Sequence, residues 1–281
     1  MEWNRAKTIL IVVFLLINIF LGTYLFLERY HSQVQTVTDL TDVLARNGIE
    51  LQMNTLPYTE QSLFVPGWNT PVLTEKQIEE LISSPVETGD GYTNPEKTCR
   101  LSLSNNQFYY QNTAPNEKSF HGITEKNAVS KLRKTLKTLG VDKWVYPMDI
   151  VGEKDAIKVR YGYQIDQKKL FGSFLTMTVC SDGIVEIEGF LGIPDLKNGF
   201  SYRLSNIETI LMSLTNLKQE GMVVTDIELG YYLATYKDAL VSQAIPVFEI
   251  HTSKGSMLLD ARDGVQNSER NLSSDEKGAV Q

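Results

Sequence analysis

Residues 8–27 (TILIVVFLLINIFLGTYLFL) form an unbroken uncharged run, and beyond it hydrophobic positions recur with two different periods. Spacings of three and four mark four helices, each burying one stripe. The first carries Val34, Val37, Leu40 and Leu44 and stops at Asn47-Gly48. The second carries Ile78, Leu81 and Ile82 and ends before Pro85. The third carries Val129, Leu132, Leu136 and Leu139, with Gly140 as its stop. The fourth carries Ile207, Ile210, Leu211, Leu214 and Leu217. Ser32 with Gln35, Thr74 with Gln77 and Ser205 with Glu208 fit the capping box, and Thr124 with Asn127 is a weaker version.

Elsewhere the period is two. Ile157, Val159, Tyr161 and Tyr163 alternate with Ala156, Lys158, Arg160 and Gly162. Leu175, Met177 and Val179 alternate with Thr176, Thr178 and Cys180, and Asp182-Gly183 then turns the chain toward Val185 and Ile187. A later pair runs from Val247 to Ile250 and from Met257 to Leu259, joined at Lys254-Gly255 and closed at Asp263-Gly264. Such runs, joined by D-G and K-G turns, predict antiparallel hairpins. No regular βαβ alternation is present. The fold class is therefore α+β, with helices packed on one face of antiparallel sheets.

A helix followed by roughly four strands occurs at 124–192 and again at 205–264, which reads as two related helix-plus-β-meander units. Residues 56–71, with three prolines and Trp68, read as irregular loop. The division of the chain is then 1–7 cytoplasmic tail, 8–27 transmembrane helix, 28–120 membrane-proximal subdomain, 121–266 distal α+β region and 267–281 disordered tail.

The uncharged run fixes the expected location. Twenty helical residues span roughly 30 Å, the thickness of a hydrocarbon core. A cleaved signal peptide would have an apolar stretch of about 7–15 residues and a small-residue cleavage site; here the run enters Tyr24, Leu25, Phe26, Leu27 and Glu28. Arg5 and Lys7 precede it, and only Arg29 follows closely, which places the N-terminus inside and the body outside. Within the span, Asn18 and Gly22 lie four positions apart on one helical face, beside Thr23. An amide in lipid favours a neighbouring helix and glycine allows close approach, so the pair is a candidate partner contact; a lone anchor tolerating one Asn is the plain alternative.

The net charge of −7 argues against nucleic acid as a partner, since phosphate binding requires a basic surface. The two cysteines, Cys99 and Cys180, are too few for a disulfide scaffold and are not spaced as zinc ligands; whether they are bridged is open at this level. No catalytic motif of the G-x-S-x-G, H-E-x-x-H, P-loop or dinucleotide type occurs. His31, His121 and His251 are isolated in sequence, without a second ligand three or four residues away on a helix. Asp260 and Asp263 sit at a turn, where aspartate bonds local backbone. Asn271-Leu272-Ser273 matches a glycosylation tripeptide. No cofactor, metal or catalytic residue is therefore expected. Tyr109-Tyr110 and Tyr231-Tyr232 each place one ring outward on a strand, and the stretch Phe64, Val65, Pro66, Gly67, Trp68 is the best candidate for an exposed contact.

The opening E-W-N-R-A-K-T-I, the end of the span L-I-N-I-F-L-G at 16–22, and the stretch from Ile245-Pro246-Val247-Phe248-Glu249-Ile250 to Asp260-Ala261-Arg262-Asp263-Gly264 resemble the YycI (WalI) family. The resemblance covers nearly the whole chain, and its specific part is N-terminal. It implies a single-pass membrane protein of Gram-positive bacteria. Such a protein acts with the similar YycH on the sensor histidine kinase WalK (YycG), within the two-component system governing cell-wall metabolism. It also implies contacts made by transmembrane helices and no catalytic residues. The expectation from a different class is an extracytoplasmic wall-ligand binder or wall-processing enzyme on a passive anchor.

Overall fold

A computed structural model describes residues 2–53, 56–57, 61–104, 106–217, 221–234 and 243–266, without the side chains of 2–6, 8–9, 25–38, 234 and 243. The predicted tail, the Asn271 tripeptide and the His31 side chain lie outside the described residues or side chains; the helix start expected at Ser32–Gln35 is corrected, because the backbone is already helical from Glu2 and no helix begins there.

The chain begins with one long helix, α1 (Glu2–Arg46). Helical backbone runs without a break through the positions expected to join an apolar span to a second helix. It ends where Asn47-Gly48 predicted, with the Gly48 amide bonded to the Ala45 carbonyl at 3.0 Å. Then come β1 (Ile49–Leu51), β2 (Ser62–Asn69), α2 (Glu75–Leu81), β3 (Val86–Thr88), β4 (Gly91–Thr93), β5 (Cys99–Ser104) and β6 (Gln107–Asn112). They are followed by α3 (Glu125–Thr138), β7 (Val145–Gly152), β8 (Ile157–Ile165), β9 (Lys168–Cys180), β10 (Gly183–Phe190) and β11 (Ile193–Arg203). The last elements are α4 (Ile207–Ser213), β12 (Met222–Ala234), β13 (Gln243–Thr252) and β14 (Gly255–Asp260). The protein is α+β, as its periodicities require.

Capping chemistry locates two helices well. The Thr74 amide donates to Gln77 Oε1 at 2.8 Å and the Thr124 amide to Asn127 Oδ1 at 2.8 Å. Helix α3 buries Ala128, Leu132 and Leu136, and Gly140 after it adopts φ +75°, a left-handed stop that glycine supplies at least cost. Each fully buried leucine contributes about 1.5–3 kcal/mol. The Ser205 expectation is corrected: α4 starts at Ile207 with Asn206 at its N-cap. The Ser205 hydroxyl instead donates to the Arg262 carbonyl at 2.6 Å, tying the helix entry to the turn that follows β14.

Helix-then-meander recurs. After α3, strands β7-β8-β9-β10 pair antiparallel in sequence. After α4 the described residues form a meander of three strands, β12-β13-β14, against the roughly four expected. After α2 there is another, β3-β4-β5-β6, which the sequence did not reveal. All join one 12-stranded sheet: β6 pairs antiparallel with β10, and β9 pairs parallel with β12 at Tyr231↔Leu170 and Tyr232↔Phe171.

The stretch 56–71 contains a strand, not only loop. β2 pairs antiparallel with β11 in a separate two-stranded sheet. Proline is tolerated in such an edge pair, and Pro66 faces Gly199 beside a bulge. Trp68 is 2% exposed and packs edge-on to Tyr163 and Phe190, with centroids 5.7 Å away in each case. The expectation of an exposed contact at 64–68 thus holds for Phe64 alone, which is exposed while Val65, Pro66 and Trp68 are buried. Cys99 and Cys180 are free thiols.

Candidate functional site

Two regions stand apart from ordinary core and surface. The first is the apolar part of α1. Its side chains at Leu10, Ile11, Val12, Val13, Phe14, Leu15, Leu16, Ile17, Ile19, Phe20, Leu21 and Tyr24 are 46–74% exposed. A helix apolar on every side has no stable place in water, and contiguous exposed apolar surface marks a protein or membrane contact. Asn18 Nδ2 donates to the Phe14 carbonyl at 2.8 Å, so the amide already has one partner within its own helix. Thr23 Oγ1 donates to the Ile19 carbonyl at 2.5 Å. Nothing lies within 4 Å of where a Cβ on Gly22 would be. Among the described residues no helix is long and apolar enough to cross a membrane; the apolar run with described side chains, residues 10–24, is shorter than the roughly 20 residues a span needs.

The second region is the seam where the two later meanders meet. β9 and β12 can run side by side there because Gly230 has no side chain: a Cβ would collide with the Lys169 carbonyl and the Phe171 ring. Strand alternation then gathers charge on one face. Glu228 on β12 stands directly opposite Glu249 on β13, and His251 follows two positions after Glu249. Like charges directly opposite are destabilising. Lys169 Nζ offsets one of them, 2.7 Å from Glu228 Oε2. That bond is the main reason the Lys169 ammonium is held above its ordinary pKa. Glu249 is less well served. Its side chain is 13% exposed, and His251 Nε2 stands 3.5 Å from its carboxylate. Burial pushes its carboxyl pKa up, against the pull of His251. His251 Nδ1 is 2.7 Å from Ser256 Oγ on β14. Burial likewise raises the Tyr146 phenol of β7, whose field includes Lys169, Glu228 and Glu249.

One ligand atom from each of Glu228, Glu249 and His251 lies within 4.8 Å of the others. Reading histidines for helical ligand spacing missed this group. The signal available was Glu249-x-His251 in a strand, which places both on one face; the third member needed the β12–β13 register. His121 is exposed and apart from the group. Asp260 and Asp263 serve the turn: Asp260 receives the Arg262 amide at 2.9 Å and its guanidinium at 2.5 Å, and Asp263 receives the Val265 amide at 2.9 Å. Tyr110 and Tyr231 are buried, with Tyr109 and Tyr232 partly exposed. Tyr109 borders an open cleft of about 450 Å³ with Ser102, Ser104, Gln107, Thr176 and Glu188.

No known protein family matches the chain, and no curated protein matches it. Solved structures of similar shape include an uncharacterized protein from Eubacterium rectale. It is 11% identical, with 78% of this chain and 90% of that one covered, at a TM-score of 0.47. Another is the C-terminal domain of YpeB from Bacillus megaterium. It is 12% identical, with 81% and 94% covered, at a TM-score of 0.36. With both scores this low, the likenesses assign no activity to this chain.

Proposed function

We propose that this protein is a non-enzymatic, membrane-anchored regulator of a sensor histidine kinase, of the YycI (WalI) type. It acts with YycH on WalK (YycG), and its body lies outside the cytoplasmic membrane. The observation that carries the reading is the apolar surface of α1 at residues 10–24, exposed on all sides and continuous in sequence with an uncharged run at 8–27. The flanking Arg5 and Lys7 support an inside N-terminus. In lipid, Asn18 and Gly22 form the stripe against which another helix packs closely.

A regulator of this kind shifts the kinase between two helix arrangements only by its differential affinity for them. A coupling of about 1–3 kcal/mol changes output several-fold to roughly a hundred-fold. The test is replacement of 8–27 by an unrelated span, together with Asn18→Leu and Gly22→Leu. Membrane insertion is expected to persist while co-purification with the kinase and control of a kinase-output reporter are lost. Retention of both by all three variants refutes the proposal. The second reading is a wall-ligand module on a passive anchor. It is favoured by the cleft at Tyr109, where an aromatic ring adjoins hydroxyls, an amide and the Glu188 carboxylate. Under it, the span replacement leaves function intact.

A further inference from the structure

We propose that Glu228, Glu249 and His251 form a divalent-metal site, with Zn²⁺ as the best-matched ion. The donor set is mixed, two carboxylates and one imidazole, which suits an ion of borderline character rather than Ca²⁺ or Mg²⁺. Three protein ligands on one face of a sheet leave further coordination positions open. The three donors come from adjacent paired strands, so their spacing of 4.8 Å or less is set by the β12–β13 register rather than by loop geometry.

Two observations point to a cation. The first is Glu249. Its side chain is almost enclosed, at 13% exposure, and His251 Nε2 stands 3.5 Å from Glu249 Oε2, at the outer limit of a hydrogen bond. It also faces a second carboxylate across the strand pair. A charge so placed requires a positive partner. Lys169 is committed to Glu228 Oε2, which leaves Glu228 Oε1 for a shared ion. The second is the orientation of His251. With its proton on Nδ1, the ring donates to Ser256 Oγ at 2.7 Å and turns the Nε2 lone pair toward Glu249. Metal-binding histidines are held in this way by a partner on the far nitrogen, and loss of that partner costs about 10–100-fold in affinity. Ser256 is thus a positioning residue for the site.

The experiment is calorimetric titration of the untagged full chain, in detergent micelles and stripped with EDTA, with Zn²⁺ and separately with Mg²⁺. One saturable Zn²⁺ site per chain is expected, with no comparable Mg²⁺ binding. Glu249→Gln and His251→Gln, each verified as folded by circular dichroism, weaken Zn²⁺ by more than about tenfold, and Ser256→Ala by about tenfold. Nuclear magnetic resonance of the unaltered protein adds a test that needs no variant: the His251 ring signals shift on Zn²⁺ addition. Absence of stoichiometric uptake, uptake unchanged in the variants, or unmoved His251 signals overturns the site. The outcome is independent of whether α1 engages a kinase.

Discussion

Tyr161 and Tyr163 point from one strand into the same core with opposite fates: the Tyr163 hydroxyl donates to the Phe190 carbonyl at 2.7 Å, whereas the Tyr161 hydroxyl is buried without a partner. A buried unsatisfied hydroxyl costs about 1–3 kcal/mol, while a paired one contributes about 1 kcal/mol net. Tyr161→Phe is therefore expected to raise stability by roughly 1 kcal/mol. Tyr163→Phe is expected to lower it by a similar amount, because the Phe190 carbonyl loses its donor. Denaturant titration of both variants checks the opposite signs. Equal losses would refute the assignment.

The same rings make the fold sensitive to alkali. Burial raises the phenols of Tyr110 and Tyr163, and pushes Tyr161 up to about 12. The unfolded value is about 10. A folded pKa above the unfolded one means that the stabilisation is full below pH about 10 and is lost as pH rises through 10 to about 12. The midpoint of unfolding should fall steeply across that window, and Tyr161→Phe should flatten the fall. An identical pH profile in the variant would show that Tyr161 does not titrate with unfolding.

Gly230→Ala tests the seam. The added methyl meets the Lys169 carbonyl and the Phe171 ring, and the backbone cannot rotate away as a flexible side chain would. Overpacking of this kind costs about 1–3 kcal/mol. A thermal shift downward is expected, with faster amide exchange at Tyr231 and Tyr232, whose partners are on β9. Unchanged exchange there would mean that the parallel contact does not depend on the glycine.

Lys169→Met should also destabilise, through charge rather than shape. It leaves Glu228 and Glu249 opposed without the ammonium that lies 2.7 Å from Glu228. A cross-strand like-charge pair costs roughly 0.2–1 kcal/mol. The loss is read in EDTA-treated buffer, and Glu228→Gln in the Lys169→Met background should restore part of it. No restoration would mean that repulsion between the two carboxylates is not the cause.

Much of the architecture could be read directly because its causes are local. The alternation from Ile157 to Tyr163 and from Leu175 to Val179 buries those side chains whichever strands flank them. Thr74, Thr124 and Gly140 act within a turn of their helices, so their chemistry is visible without a fold. Ser205 misled because two partners compete for its hydroxyl: the helix amide three residues on, which would donate to its oxygen, and the Arg262 carbonyl 57 residues on, which accepts its proton. Only folding brings the second into reach. The stretch at 62–69 misled because Pro66 and Gly67 are turn formers in isolation, yet an edge pair opposite Gly199 accepts them and the Trp68 ring finds Tyr163 and Phe190.

By itself the sequence determined the fold class, the helix stops at Asn47-Gly48 and Gly140, the faces of the strands and the uncharged run at 8–27, since each follows from the period and chemistry of neighbouring residues. Tertiary structure alone decided that three meanders share a sheet, that Trp68 lies in the core, and that Glu228, Glu249 and His251 converge. Those relations depend on strand register between segments distant along the chain. Register is set by packing and by gaps such as Gly230, which no local pattern encodes.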